Sequence, residues 1–208
     1  TAATPPSSGF NSVYSMLGSK STRQLDHSME DWVDPCNNFL FADVDGNIGY
    51  LMRGKIPTRP YVNGWIPVSG STSKHEWSGF VPFEELPRIH NPKSGFIVTA
   101  NNRIIDNSYP HYISLWFAPE YRARRITELV KSLSNATVSE MSEIHADNLS
   151  IPAQTYKKLL AKIEGKGEKC LWAQNLLINW DCRMEASSIA PTVYSMFRLK
   201  LHEKVFSH

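Results

Sequence analysis

The sequence predicts an α+β fold, with a β-rich first half that contains long ordered loops, followed by a helical segment. Extended apolar runs lie before residue 100, whereas apolar side chains after residue 119 recur with the spacing of helices. Proline and glycine between residues 55 and 94 exclude long helices and central strands there. Strands followed by a run of helices are typical of α+β domains rather than alternating α/β domains.

The first segments combine a lead-in, a helix and a hairpin. Residues 1–9 are rich in Ser and Pro, and we expect a flexible lead-in there. An amphipathic pattern predicts a helix over about residues 22–33. Two extended runs, "NFLFADV" and "NIGYLMRG", flank Asp45-Gly46, whose residues tolerate the positive φ of a tight turn. These runs therefore predict a β-hairpin.

A long loop and a third strand complete the β-rich part, which we place at residues 10–118. Four aromatic residues in the loop predict that it packs over a core: Trp65, Trp77, Phe80 and Phe83. The apolar run at residues 95–100 predicts the third strand.

The helical subdomain is predicted over residues 119–208, with four or five helices. Pro119 and Glu120 suit a helix start. Thr137 and Glu140 have capping-box spacing, and Ser150 precedes another amphipathic run. Two further amphipathic runs are "EKCLWAQNLLINW" and "APTVYSMFRLKLHEKVF".

Composition excludes several classes of partner. The 208 residues are 41% hydrophobic, which is enough for a substantial core. A net charge of +2 gives no field that suggests nucleic acid, and no run approaches the ~20 apolar residues that span a bilayer. We therefore expect neither nucleic acid nor membrane as a partner. Because the chain begins with Thr and shows no signal-peptide pattern, we expect a processed product or a fragment.

The sequence predicts no metal site. The cysteines, Cys36, Cys170 and Cys182, lack metal-type spacing; for the last two, a pair of buried thiols is favoured over a disulfide. The stretch from Asp43 to Asn47 resembles the start of a calcium loop, but Gly54 stands where a bidentate Glu is needed, so a hairpin turn is favoured. The histidines are scattered without ligand spacing.

Asn101 is a candidate catalytic residue. It follows the predicted strand directly, and a side-chain amide on a rigid strand end is a neutral donor that can stabilise an oxyanion. The alternative is that Asn101-Asn102 simply forms a turn. Arg125 has a similar ambiguity, because it is one of three arginines on a helix whose polar face could be merely solvated.

Five segments, which together cover about residues 20–206, resemble the penicillin acylase (penicillin amidase) family of N-terminal-nucleophile hydrolases. They are "NFLFADVDGNIGYLMRGKIPTR", "GWIPVSG", "EWSGFVPFEELPRIHNPKSGFIVTANNR", "YPHYISLWFAPEYRARRI" and "WDCRMEASSIAPTVYSMF". The resemblance corresponds to an interior portion of the family's larger β chain. It implies part of a four-layer αββα sandwich, with the helical segment as an insertion.

The resemblance also implies a function. Members hydrolyse linear amides, with a serine at the amino terminus of the β chain as nucleophile and its own amine as base. Asn101 matches the family's oxyanion-hole asparagine, and Arg125 matches the arginine that orients the site. The implied partners are a small-molecule amide substrate, the α chain and the remainder of the β chain. The alternative is a catalytically inactive remnant that acts as a binding module.

The chain departs from the family at two points. Members often bind calcium between their two chains, but "YPHYISLW" lacks the expected aspartate and Asp106 lies too early, so we predict no cofactor. Asn37 stands where some relatives have an apolar residue of the acyl pocket, so the acyl preference does not transfer. The family is mostly periplasmic or secreted, and the compartment of this protein stays open.

Overall fold

The computed structural model describes residues 9–59 and 66–206. The chain divides into two units, one ending at Glu120 and one starting at Tyr121. The predicted lead-in falls almost wholly on residues 1–8, which lie outside the described residues. Trp65 also lies outside the described residues. Gly9 begins a helix.

The first unit is built on a small antiparallel sheet. Its strands are β1 (Asn37–Ala42), β2 (Ile48–Arg53) and β3 (Arg88–His90), in the order β1-β2-β3. The predicted hairpin is confirmed: Leu40 pairs with Tyr50 across β1 and β2.

The hairpin turn is organised by Asp43. Its carboxylate accepts the backbone N–H of Asp45 at 3.1 Å and that of Asn47 at 2.9 Å. Gly46 has φ +84°, a conformation that glycine adopts without a steric penalty. Local side-chain bonding of this kind is what makes Asp a strong turn residue.

The predicted third strand at residues 95–100 is wrong. Residues 96–99 have no assigned secondary structure, and β3 arises instead within the predicted loop. Strand β3 pairs with the free edge of β2, where Tyr50 lies opposite Ile89. Pairing depends on which segment reaches an edge, and a local apolar run does not encode that.

The helical elements before the sheet also differ from the prediction. An additional helix, α1, spans Gly9–Leu17, and α2 spans only Thr22–His27, shorter than the predicted residues 22–33. Ser21 caps α2 by accepting the N–H of Gln24. After His27 the backbone continues in tighter turns that direct Met29 (1% exposed) into the core. Helix α2 therefore ends before Met29, whose side chain is buried in the core.

The core of the first unit joins the helices, the sheet and the long loop. Its buried members are Met29, Phe41, Leu51, Ile56, Val81 and Leu86. The predicted packing of the loop aromatics over the core holds for only some of them. Phe83 packs against this core, whereas Trp77 and Phe80 remain 38% and 37% exposed.

The second unit consists of five helices, as predicted. They are α3 (Tyr121–Lys131), α4 (Val138–Ala146), α5 (Ile151–Leu160), α6 (Glu168–Asn179) and α7 (Ala190–Phe206). The capping box of Thr137 and Glu140 at α4 is confirmed, and Ser150 caps α5. None of the helices described has the length and apolar character required to cross a bilayer.

Aromatic side chains pack against one another at the centre of the core of the second unit. Tyr194 is 2% exposed, and its ring lies 5.4 Å from that of Trp180 and 6.0 Å from that of Tyr156, measured between centroids. Cys182 is buried in this core, whereas Cys170 is exposed, and both thiols are free. The prediction of two buried thiols is thus correct only for Cys182.

The helices and the small sheet agree with an α+β fold. The four-layer αββα arrangement and the partial nature of the fold stay predictions.

Candidate functional site

Asn101 lies in a turn with a left-handed backbone. Its φ of +60° is unusual for a residue with a side chain, and asparagine is among the few types that tolerate it. Its carbonyl oxygen accepts the N–H of Ala118 at 2.7 Å. The next residue, Asn102, accepts the N–H of Ala100 at 3.0 Å and donates its amide to the carbonyl of Arg103 at 3.0 Å. The backbone of Asn101 is therefore held on both sides.

The alternative prediction of a turn at Asn101-Asn102 describes the backbone correctly, and Asn102 performs the turn-forming role. Asn101 itself is exposed on its unit, whereas Ala100 before it is 7% exposed. An exposed side chain on a fixed backbone does not conflict with the role of a preorganised donor. The turn and the donor interpretations are thus compatible.

A chain of hydrogen bonds ties this segment to the sheet. The hydroxyl of Tyr50 donates to the side-chain oxygen of Asn38 at 2.6 Å, and the amide of Asn38 donates to the hydroxyl of Thr99 at 2.9 Å. Tyr50 is 2% exposed, and burial raises the pKa of its phenol, so the hydroxyl stays protonated. Thr99 is two residues before Asn101, so the sheet restrains the segment that presents the amide.

A second polar group lies later in the same loop region. The carboxylate of Asp106 accepts the N–H of Ser108 at 2.8 Å and its hydroxyl at 2.6 Å, and these bonds lower the pKa of Asp106. The hydroxyl of Tyr109 donates to the carbonyl of Glu85 at 2.9 Å, and His111 contacts the Glu85 carboxylate. These bonds brace the loop that follows Asn101.

Arg125 lies on α3, in the second unit, and its side chain is 15% exposed. Its Nε and Nη2 donate to the two oxygens of Asp147 at 2.7 and 2.9 Å, a bidentate arrangement, and its Nη1 lies 3.2 Å from Glu128. These hydrogen bonds, those to Asp147 above all, raise the pKa of Arg125. The same bonds lower the pKa of Asp147, which also accepts from Arg183 at 3.3 Å.

The two candidate residues thus lie in different units, and each is anchored within its own unit. Arg125 is not on a merely solvated face, because its side chain is largely buried and is paired with Asp147. The oxyanion role of Asn101 and the orienting role of Arg125 stay predictions.

Sequence reasoning missed the residues that support these candidates. Asn38 carried a usable signal, because asparagine is a poor strand residue and stands inside a predicted strand. Asp147 and Thr99 carried none, since their partners are 22 and 61 residues away in sequence.

A metal would have few candidate ligands here. No group of three or more His, Cys, Asp or Glu residues suited to a metal occurs in the described part of the chain. The carboxylate of Asp43 is already used by the hairpin and by Thr22, which donates its N–H at 3.1 Å and its hydroxyl at 3.2 Å. These hydrogen bonds, that of the Thr22 N–H first, lower the pKa of Asp43 to about 2.

Comparison with known proteins places these features in a family. The family model described as penicillin amidase matches residues 1–208. The chain is 39% identical over 196 residues to "Penicillin acylase 2 proenzyme" of Pseudomonas sp. (strain SE83), covering 92% of this chain and 25% of that protein. It is 26% identical to "Acyl-homoserine lactone acylase QuiP" of Pseudomonas syringae pv. syringae (strain B728a), covering 99% of this chain and 28% of that protein.

A solved structure agrees with this placement. The fold is similar to that of a thermostable penicillin G acylase from Alcaligenes faecalis, with a TM-score of 0.66 and 20% sequence identity, over 86% of this chain and 33% of that chain. The chain spans about a quarter of the length of the two Pseudomonas acylases that it matches. The match of the family model over all 208 residues shows that this chain belongs to the penicillin amidase family.

Proposed function

We propose that this chain is a segment of a penicillin acylase-like amidohydrolase that cleaves linear amides and that it contributes the oxyanion donor, Asn101. The nucleophile is an N-terminal serine on another part of the protein. The α chain and the remainder of the β chain are the partners, and the substrate is a small-molecule amide. The names of the relatives support an acyl-transfer reaction, because both Pseudomonas proteins are acylases.

The backbone geometry at Asn101 carries the proposal. The left-handed φ of +60°, the Ala118 bond to its carbonyl and the two bonds of Asn102 fix the backbone from which the amide projects. A donor that is fixed before the reaction needs no reorganisation when negative charge develops. An amide is also neutral, so it donates at any pH.

The reaction proceeds in two acyl transfers. The terminal amine of the serine takes the proton of the serine hydroxyl as the serine oxygen attacks the substrate carbonyl, and the carbonyl oxygen becomes an oxyanion that accepts an N–H of Asn101. When the oxyanion collapses and the carbon–nitrogen bond breaks, the leaving amine takes that proton from the terminal ammonium. The terminal amine then takes a proton from water, whose oxygen attacks the acyl-serine through a second oxyanion at the same position. When the bond to the serine oxygen breaks, this oxygen recovers the proton, and the carboxylic acid is released.

Arg125 is proposed as a positioning residue. Its Nε and Nη2 are used by Asp147, the residue that ends α4, so it acts by holding α3 in place against the end of α4 rather than by transferring a proton. A guanidinium also stays charged across the working pH range of a hydrolase.

Substitution of Asn101 by Ala in the complete protein tests the proposal. Acylation by a chromogenic acyl anilide, followed in the burst phase, is expected to slow by about 10²–10³-fold, the usual cost of losing one oxyanion donor. The Michaelis constant should change much less, because the donor acts on the transition state.

Asn101→Gly removes the same amide without the steric penalty of a side chain at φ +60° and should be slowed to a similar extent. The control for loss of an exposed amide in the same region is Asn107→Ala. Its burst rate should stay within about twofold of that of the unchanged protein. An Asn101→Ala variant slowed by less than about tenfold would contradict the oxyanion role.

A further inference from the structure

Arg53, the last residue of β2, is a buried cation. Only 8% of its surface is exposed. Its guanidinium carbon lies 3.6 Å from the ring centroid of Trp32 and 4.2 Å from that of Phe39. Two aromatic rings therefore cover the guanidinium, which leaves its edge as the place where a polar partner can bind.

Most of that edge has no oxygen acceptor in the described part of the chain. The Nε donates to the side-chain oxygen of Asn37 at 2.8 Å. The nearest acceptors to Nη1 are the thioether sulfurs of Met16, at 3.7 Å, and Met29, at 4.0 Å. Thioethers are weak acceptors, so Nη1 is poorly satisfied.

No carboxylate among the described residues supplies the missing charge: no Asp or Glu oxygen there lies within 4.0 Å of the Arg53 nitrogens. Removal from water without a counter-ion disfavours the charged form, and burial correspondingly lowers the pKa of Arg53. Stacking on two rings offsets only part of this cost.

We propose that Arg53 binds a carboxylate group edge-on at its two Nη nitrogens, presented by a small-molecule ligand or by another polypeptide. A carboxylate matches the planar fork of a guanidinium with two parallel hydrogen bonds. Asn37 holds the fork in one orientation from the Nε side. Of the two methionines at Nη1, Met16 is only partly buried, and its unbranched side chain with three rotatable bonds can adopt another rotamer when a carboxylate binds.

Nuclear magnetic resonance of the full-length protein tests the proposal without any need for turnover. The Arg53 Nη and Nε resonances are followed while acetate or glutarate is added, with chloride as the comparator ion. Coupling through the hydrogen bond from Nη to a carboxyl carbon identifies the partner. Labelled acetate or glutarate reports a small-molecule source, and labelled Asp and Glu report a source in the protein.

The expected result is a coupled carboxyl carbon from one of the two sources. For a small-molecule source, binding is saturable, Arg53→Met weakens the affinity for the added carboxylate at least tenfold, and Arg53→Lys weakens it severalfold because the fork is lost. For a protein source, the coupling is present before any addition, and acetate does not displace it.

The matched control is Arg59→Met. Arg59 also stacks on aromatic rings, 5.9 Å from Trp77 and 5.8 Å from Tyr112, but it is only partly buried. Its removal should leave carboxylate binding within twofold. The proposal is overturned if Arg53 couples to no carboxyl carbon, or if chloride shifts its resonances as strongly as acetate does.

Discussion

The ion pair of Arg125 and Asp147 permits a quantitative test of what holds the helical unit together. The side chains are 15% and 10% exposed, and two bonds of 2.7 and 2.9 Å join them. We consider Arg125→Met and Asp147→Asn, singly and combined. Each single change leaves a buried polar partner behind, whereas the double variant removes both charges.

The expected magnitude follows from this burial. Removal of one partner of a buried pair costs about 3–5 kcal/mol when the other charge is left unpaired. Here each partner keeps a second, more exposed contact: Glu128 is 66% exposed and Arg183 is 42% exposed. We therefore expect about 2–3 kcal/mol for each single variant and a coupling energy of about 2 kcal/mol between the two.

Urea denaturation followed by far-ultraviolet circular dichroism measures these free energies of unfolding in the full chain. A coupling energy below about 0.5 kcal/mol would refute the reasoning, since the pair would then behave like an exposed ion pair.

The same pair predicts a pH dependence. Hydrogen bonds from Arg125, with smaller contributions from its charge and from Arg183, lower the pKa of Asp147 from its ordinary value of 3.8. A lowered pKa contributes stability that is present above pH 3.8 and is lost as the pH falls through the lower folded-state value. The coupling energy measured at pH 7 should therefore decrease below pH 3.8.

Two further variants test the hairpin of the first unit. In Gly49→Ala, the new methyl group would overlap the ring of Phe41, which is 8% exposed and held in the core. We therefore expect the free energy of unfolding, measured by urea denaturation, to fall by about 1–3 kcal/mol. In the control Gly70→Ala, the methyl group meets nothing within 4 Å, and the free energy of unfolding should change by less than about 0.5 kcal/mol. Equal losses in the two variants would contradict the packing argument. In Asp43→Asn, the group that has a pKa of about 2 no longer titrates, so the variant should lose less stability between pH 5 and pH 2.5 than the unchanged chain does. Identical losses over that interval would show that Asp43 does not supply this pH dependence.

Local signals predicted much of the secondary structure. Asp45-Gly46 predicted the hairpin because turn formation depends on neighbouring residues. The spacing of Thr137 and Glu140 predicted the start of α4, since both capping bonds form within one turn. The errors concern long-range pairing: residues 95–100 have strand-like composition, but β3 occupies the edge of β2.

The candidate site divides in the same way. Asn101 and Arg125 could be named from the segments that resemble the family. The contacts that hold these two residues in place could not be predicted from those segments. The Asn38–Thr99 bond joins residues 61 positions apart, and Asp147 binds Arg125 across 22 positions. Such partners are chosen by packing, which no sequence spacing encodes.

The sequence by itself determined the helices of the second unit, the hairpin and the membership of the penicillin amidase family, because caps, turns and motifs are written in neighbouring residues. Only the tertiary structure decided that Arg53 is enclosed by Trp32 and Phe39, with no carboxylate of the described residues beside it. The physical reason is that burial and charge pairing depend on which side chains meet in space, and that is settled when the separate elements pack.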